Sequence, residues 1–514
     1  MQVIKPATEQ ISLKRSEFLL LTIATSLCVL VVLDANMVAL SLPSISRSYR
    51  TAFDQLEWVI SAYMITFAAC LLPAGGLADQ YGRRTLLLWG LLIFSVASVL
   101  CGLAWSPLAL NIARAVQGVG AAMQLTSALA IIGNAFTDSK LAAKAWGIWG
   151  TCIGITTCVA PIVGGVFTYL FGWRSIFLVN APLGVLIAYL VRKHVPDSRS
   201  NVSHPVDAVG SLLFACALGL LIWALISAGS VGWTAGPTVA KLCAALALLI
   251  VFIAVELRRP HAMVDLSLFR NGLFTAGVIG MFGFAAAGQV LLTLFPLYMQ
   301  TWFGFLPLTA GAAMLPFAIA MAIGPTVGGR IGRGKKPQFL LCVGLVVVSV
   351  GNMTAAHFAT SHRYWHIAIA MAVIGLGVGI LNGTTQRAIM SEAPVQRSGM
   401  VSGIAQTTRF SSIVMAVGVL GAVMAQRTHA IFDATFRPAI LDERLLHIFV
   451  DKVLSGDAEH TIGLLPSSLR ASAIEAARAA NAEGFADALL VTAGISAFSF
   501  IAIALLTNFS RSRR

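Results

Sequence analysis

The chain is 514 residues long, 58% of them apolar and only 11% charged, with a formal net charge of +14 and a mean hydropathy of +0.84. A soluble domain carries about a quarter charged residues, so most of this sequence must face lipid or other buried helices, which excludes a soluble enzyme or binding module. A basic excess can point to nucleic acid, but here the lysines and arginines stand in short clusters at alternate ends of apolar stretches, as membrane topology requires, and no nucleic acid is expected as a partner.

A bilayer core takes roughly 20 apolar residues per helical crossing. Stretches of that kind run over 18–44, 56–77, 85–105, 107–134, 143–168, 175–193 and 208–229 in the first half, and over 237–257, 273–300, 307–328, 338–358, 365–390, 400–425 and 485–507 in the second. They predict an all-α integral membrane protein of 14 transmembrane helices. Lys5, Lys14 and Arg15 precede the first helix, Arg83 and Arg84 follow the second, Lys140 and Lys144 the fourth, and Arg192, Lys193 and Arg199 the sixth; Arg511, Arg513 and Arg514 close the chain. Short cytoplasmic loops retain such residues, so both termini are expected in the cytoplasm, with the first helix an uncleaved anchor in the cell inner membrane. Residues 426–484 read as an extracytoplasmic loop holding Asp442, Glu443, Asp451, Asp457 and Glu459, with helical spacing between Leu469 and Ala480. The eight cysteines fall singly in apolar segments, with neither CxxC pairs nor metal spacing, and read as small apolar fillers.

Charge inside the apolar stretches singles out the candidate site. Asp34 lies about ten residues from the outer end of the first helix and Arg114 about seven residues into the fourth from the same face, depths of roughly 15 and 10 Å. A charge at such depth is costly unless paired or hydrated, and commonly marks an ion or substrate path. The two residues either form a proton-loading pair or a static bridge that fixes helix packing. Between the second and third helices, Gly75-Gly76-Leu77-Ala78-Asp79-Gln80-Tyr81-Gly82-Arg83-Arg84 combines glycines for a tight turn with an aspartate suited to a helix N-terminus or a basic partner. A weaker echo, Gly328-Gly329-Arg330, follows the tenth helix without the aspartate. Two unequal copies are what transporter folds built by duplication display. The fifth helix carries Gly147, Gly150, Gly154, Pro161, Gly164 and Gly165, which suit close backbone packing with a bend at the proline.

Taken in order, these runs resemble the fourteen-helix drug:proton antiporter branch of the major facilitator superfamily. The similarity extends through Gly172-Trp173-Arg174, Asn180-Ala181-Pro182, Leu268-Phe269-Arg270-Asn271, Gly399 to Gly403 and Thr408-Arg409, nearly the whole chain. It departs at Ala160, Thr156 and Thr126, where glycine, glycine and proline are usual. The resemblance implies two six-helix bundles, over 18–193 and 273–514, with helices 7 and 8 inserted in 194–272 after a cytoplasmic N-terminus of residues 1–17. It also implies alternating access and export driven by proton entry. Asp34 and Arg114 would serve coupling, the loop of Gly75, Asp79, Gly82, Arg83 and Arg84 the conformational switch, and Gly147, Pro161, Gly164 and Gly165 the antiport motif.

Asn36, Tyr63, Gln124, Phe284, Gln289, Phe295 and Asn382 are candidates for the substrate cavity, each of them otherwise an interhelical or packing residue. Arg409 either neutralises an anionic substrate or coupling group or snorkels to the interface. Glu57 beside Trp58 reads as a hydrated rim residue. There is no Walker A sequence, and Gly375-Leu376-Gly377-Val378-Gly379 misses the dinucleotide spacing and lies in a membrane helix. The expectation is therefore no enzyme and no cofactor, with the proton gradient as energy source. The partners expected are a small-molecule substrate, protons and the lipid bilayer, while no motif specifies a periplasmic adaptor. The expected function is proton-coupled export of amphipathic or hydrophobic small molecules. The alternatives are a dedicated exporter of one endogenous metabolite, antibiotic or siderophore and, more remotely, a non-transporting receptor.

Overall fold

The computed structural model describes residues 14–49, 53–197, 207–232, 234–259, 264–305, 307–436 and 467–512. Lys5, Arg199, Arg513 and Arg514, and the acidic residues Asp442, Glu443, Asp451, Asp457 and Glu459, lie outside them, as do the side chains of Glu57 and Pro161. The first half comprises α1 (Arg15–Tyr49), α2 (Phe53–Tyr81), α3 (Arg83–Gly102), α4 (Pro107–Ala135), α5 (Ser139–Phe171), α6 (Ser175–Leu178) and α7 (Asn180–His194), followed by α8 (Ala208–Val231) and α9 (Gly236–Arg258). The second half comprises α10 (Gly272–Phe284), α11 (Leu291–Thr301), α12 (Pro307–Ala313), α13 (Leu315–Ile331), α14 (Pro337–Phe358), α15 (Tyr364–Met390), α16 (Ser398–Phe436) and α17 (Ser467–Ser512). No strand occurs among the described residues.

Among the described residues, eleven helical runs are long and apolar enough to cross a membrane, and Val209–Leu225 and Leu315–Ile331 are shorter apolar helices. Three expected crossings contain a local break: α6 passes to α7 at Val179, α10 to α11 through a π-helical turn at Ala285–Gln289, and α12 to α13 at Met314. The expected loop over 426–484 is helical wherever it is described, because α16 continues to Phe436 and α17 already starts at Ser467. At 1.5 Å per residue α17 is about 70 Å long, more than twice a hydrocarbon core. Its projecting part is tied to α16 by Arg427, 2.8 Å from Glu483 and 3.6 Å from Asp487.

Two apolar cores organise these helices. One is built from α1 to α5 and α7, running from Leu21 to Val195, and the other largely from α10 to α17, from Phe274 to Ile503. Helices α8 and α9 pack on each other, and α8 also rests on α2 and α16.

The two cores meet where glycine removes the side chain that would hold backbones apart. A Cβ on Gly75 of α2 would stand 2.3 Å from the carbonyl oxygen of Gly399 on α16. On the other flank a Cβ on Gly150 of α5 would lie 3.1 Å from the amide nitrogen of Gly383 on α15, and one on Gly383 would lie 2.2 Å from the Trp146 carbonyl oxygen. All these contacts lie toward the end of the molecule where α2 finishes and α16 starts, so the two cores are closed together there. Gly164 packs on α1, where its Cβ would meet Met37 Cα at 2.9 Å, whereas Gly147 and Gly165 face open space. The close packing anticipated for the α5 glycines is thus made by Gly150, Gly154 and Gly164 and not by the other two. The helix is continuous across Pro161.

Backbone cannot yield to a new methyl group as a flexible side chain can, so Gly75→Val should prevent this closure. In hydrogen exchange on the reconstituted protein, the Gly399 and Met400 amides should then exchange at least tenfold faster than in the wild type. Unchanged protection would show that the contact does not close this end.

Candidate functional site

Asp34 sits midway along α1 and Arg114 in the first third of α4, each 1% exposed. The apolar sequence around Asp34 buries it as the helix forms, and burial of a lone carboxylate is so unfavourable that its surroundings must supply donors. They supply three. Arg114 Nη1 donates to Asp34 Oδ2 at 2.7 Å, while Gln117 Nε2 and Asn180 Nδ2 donate to Asp34 Oδ1 at 3.0 and 2.7 Å. Arg114 also donates from Nε to the Val59 carbonyl at 3.1 Å and from Nη1 to Gln117 Oε1 at 2.8 Å. The Tyr63 ring lies 4.1 Å beneath the guanidinium carbon, a desolvated cation–π contact. Ser98 Oγ accepts from both Gln117 and Asn180 and donates to the Phe177 carbonyl.

This network joins α1, α2, α3, α4, α6 and α7. Sequence reading singled out only its ion pair. Gln117 falls one helical turn after Arg114, on the same face, and Asn180 sits where α6 hands over to α7. Asn180 belongs to the Asn180-Ala181-Pro182 run, but nothing in the spacing of either residue reveals that the two converge on Asp34 from helices far apart in sequence.

The Asp79 carboxylate crosses between the two cores. Its Oδ1 accepts from the Gly399 amide at 3.0 Å and its Oδ2 from the Met400 amide at 2.9 Å, capping the N-terminus of α16. Arg83 Nη2 bridges to Oδ1 at 3.0 Å from one turn away. Free amides and the positive end of the helix dipole make such a terminus a carboxylate site. Gly82 adopts φ +99°, which places α3 at an angle that a side chain would disfavour. Arg84 turns the other way, to the Val195 carbonyl at 3.4 Å and Asp197 at 3.9 Å. The echo after the tenth helix lacks an aspartate, and the N-terminus of α5 is capped locally instead. Asp138 accepts from the Leu141 and Lys140 amides at 3.0 Å each, bonds that hold its carboxyl below the usual carboxylate range.

A third cluster surrounds a small, partly open cavity between the cores, with about 10 Å³ of free volume. Helix α5 contributes Ile153 and Thr157, the π-helical turn and its flanks Phe284, Gln289 and Leu292, α13 Met321, α15 Val378 and Asn382, and α16 Arg409. Arg409 donates from Nε to Gln289 Oε1 at 2.8 Å. It is 6% exposed and held in the interior, so it does not snorkel to the helix end. Of the cavity candidates, Phe284, Gln289 and Asn382 therefore line this space together with Arg409. Tyr63 belongs to the Arg114 site. Asn36 is bonded to the Val32 carbonyl of its own helix at 2.7 Å, Gln124 reaches the Gly90 carbonyl of α3 at 3.4 Å, and Phe295 is packed between Phe317 and Phe485. The last three do not line the cavity.

A line of rings connects the two buried arginines. Tyr63 stacks on Phe67 at 5.6 Å between centroids, Phe67 meets Phe410 edge-on at 4.6 Å, and Arg409 Cζ lies 5.7 Å from the Phe410 ring.

A sequence model of the Major Facilitator Superfamily matches residues 24–417. The chain is 33% identical over 494 residues to "Multidrug resistance protein Stp" of Mycobacterium tuberculosis, covering 94% of this chain and 91% of that one. It is 30% identical over 469 residues to "Multidrug efflux pump LfrA" of Mycolicibacterium smegmatis, covering 90% and 91%. Among solved structures, a bacterial homologue of the human lysosomal transporter Spinster superposes with a TM-score of 0.60 at 16% identity, covering 97% of this chain and 99% of that one. At that identity the likeness concerns the fold alone.

Removing one partner of a buried ion pair leaves the other charge uncompensated, a loss of about 3 kcal/mol or more. Asp34→Asn should therefore lower the thermal midpoint of the protein in lipid nanodiscs, and adding Arg114→Gln should recover part of the loss. A single variant as stable as the wild type, with no recovery to observe, would remove the pair from the stability of the fold.

Proposed function

The chain belongs to the major facilitator superfamily and is a multi-pass membrane transporter rather than an enzyme; we propose that it exports amphipathic or hydrophobic small molecules, antibiotics among them, in exchange for protons. The observation that carries this reading is the fully buried Asp34 carboxylate with three donors on it, set apart from the cavity yet joined to it through packed elements. Both named relatives are described as multidrug resistance or efflux proteins, in line with the export direction.

Asp34 is the proton carrier in this scheme. Its three donors favour the charged carboxylate, so a proton settles on it most readily when at least one of Arg114, Gln117 and Asn180 withdraws. Loading therefore demands a rearrangement of α1 against α4 and α7. Helix α1 passes that movement to α5 through the Met37–Gly164 contact, and α5 both lines the cavity and closes against α15. The aromatic line from Tyr63 to Phe410 offers a second contiguous route to the cavity. Asp79, by capping α16, favours the arrangement in which one end is closed, and its release permits the alternative. With about 10 Å³ of free volume, room for about one water molecule, the closed cavity is far below the usual range of ligand pockets, roughly 300 Å³ and above. Substrate entry accordingly accompanies separation of the two cores. Each unit of pH gradient supplies about 1.4 kcal/mol per proton for this cycle.

We place the protein in the cell inner or plasma membrane with both termini in the cytoplasm, on the distribution of Lys and Arg.

The test is proton flux from proteoliposomes challenged with a panel of lipophilic cations, neutral antibiotics and lipophilic acids. Substrate-evoked proton release is expected from the wild type and none from Asp34→Asn that has been inserted normally; retained release in the variant would take Asp34 out of the mechanism. In expressing cells, an uncoupler should raise accumulation of any substrate found this way, and insensitivity would argue for another energy source.

A further inference from the structure

The cavity between the cores contains a cation without a counter-charge. Arg409 lines it, and a guanidinium offers five N–H donors in a planar fork. One of them, on Nε, is given to Gln289 Oε1; among the described residues the others have no hydrogen-bond acceptor, and no carboxylate forms an ion pair with Arg409. Neither Asp nor Glu lines the cavity. The buried carboxylate of the proposed mechanism, Asp34, is already paired with Arg114 and bonded by Gln117 and Asn180. Cation–π contacts at 5.7 Å to Phe284 and Phe410 are the remaining compensation. An arginine at membrane depth is strongly disfavoured unless it is paired or hydrated, so the site is built to receive negative charge from something that comes and goes.

A second polar group faces the same space. Asn382, 4% exposed, donates from Nδ2 to the Gly150 carbonyl at 2.9 Å, and its Oδ1 has no partner. Apart from Thr157, whose hydroxyl donates to the Ile153 carbonyl of its own helix at 2.9 Å, the rest of the lining is apolar, with Ile153, Phe284, Leu292, Met321 and Val378. The fork is held in place by Gln289, which the π-helical turn carries at the junction of α10 and α11, a type of turn that recurs at functional sites.

We infer that this cavity selects amphipathic organic anions: a carboxylate for the Arg409 fork, an apolar body for the walls, and an O–H or N–H donor for Asn382 Oδ1. Cations are repelled by the same guanidinium, and neutral analogues leave it unpaired. The inference rests on reading the cavity as the transport site and narrows the substrates of that site to a charge class.

Equilibrium dialysis of the full-length protein in lipid nanodiscs at neutral pH, with radiolabelled 1-naphthaleneacetate, its methyl ester and 1-naphthylmethylamine as probes, tests this directly. The three share one ring system and differ in charge. The wild type should bind the acid at least tenfold more tightly than the ester and the amine least. Arg409→Gln should abolish the preference by weakening the acid alone, and Arg409→Lys, which keeps the charge without the fork, should retain part of it. Equal binding of acid and ester by the wild type, preference for the amine, or binding of none of the three overturns the inference without recourse to any variant. An Arg409→Gln protein that keeps the acid preference does so as well, and assigns Arg409 to packing or coupling. Dialysis involves no pH gradient: acid preference in a protein that moves no protons preserves this inference while removing antiport, and probe-evoked proton flux without acid preference does the reverse.

Discussion

A carboxylate in the middle of a membrane helix is tolerable only if its surroundings compensate it, and the architecture of the first half of this protein follows from compensating Asp34. Arg114, Gln117 and Asn180 reach it from α4 and the α6–α7 junction, and Ser98 and the Val59 and Phe177 carbonyls hold those donors in turn. The network places two donors on Oδ1 and the Arg114 guanidinium on Oδ2. Such a site has two self-consistent arrangements, one with the charge paired and one with a proton in its place, and the passage between them has to move helices. That bistability is what a coupled transporter requires of a single residue.

The contact surface between the two cores is arranged to be made and broken. Glycine-to-backbone contacts at Gly75/Gly399 and Gly150/Gly383 bring the helices together at backbone distance, so separation breaks dispersion contacts and a few identifiable hydrogen bonds, those of Asp79 to α16 and of Asn382 to the Gly150 carbonyl. The polar part of the seam is asymmetric. On one flank Asp79 reaches across to cap α16, whereas on the other Asp138 caps α5 from its own loop. The duplicated halves therefore carry one intermolecular-style latch and one local cap, and opening of this end has its main electrostatic cost on the Asp79 flank.

The cavity has a chemistry distinct from that of the Asp34 site. Its walls are mostly apolar, the charge among its described lining residues is positive, and the Asn382 amide oxygen in it is unpaired. The carboxylate that would attract cationic compounds in a pocket of this kind is instead sequestered with Arg114. On the proposed scheme, separation of the two sites means that protons and substrate need not compete for one group, and α1, α5 and the aromatic rings between the arginines form the contiguous path between them.

Much of this was legible in the residues. Apolar runs of bilayer length, the Lys and Arg clusters, and Asp34 and Arg114 within apolar surroundings are local features, and the energetic cost of charge and free backbone groups in lipid allows few structures for them. Asp79 was legible as a helix-terminus ligand because its flanking glycines and arginines admit few other uses. What the tertiary structure decided was which distant groups meet: Gln117 and Asn180 on Asp34, Gln289 on Arg409, and the separation of Gln124 and Phe295 from the cavity. It also decided the π-helical turn, the helical continuation of α16 and α17 into the expected loop, and which α5 glycines face another backbone. Helical periodicity assigns a residue to a face, but the neighbour on that face depends on helix rotation and tilt, which are settled only when all the helices pack together.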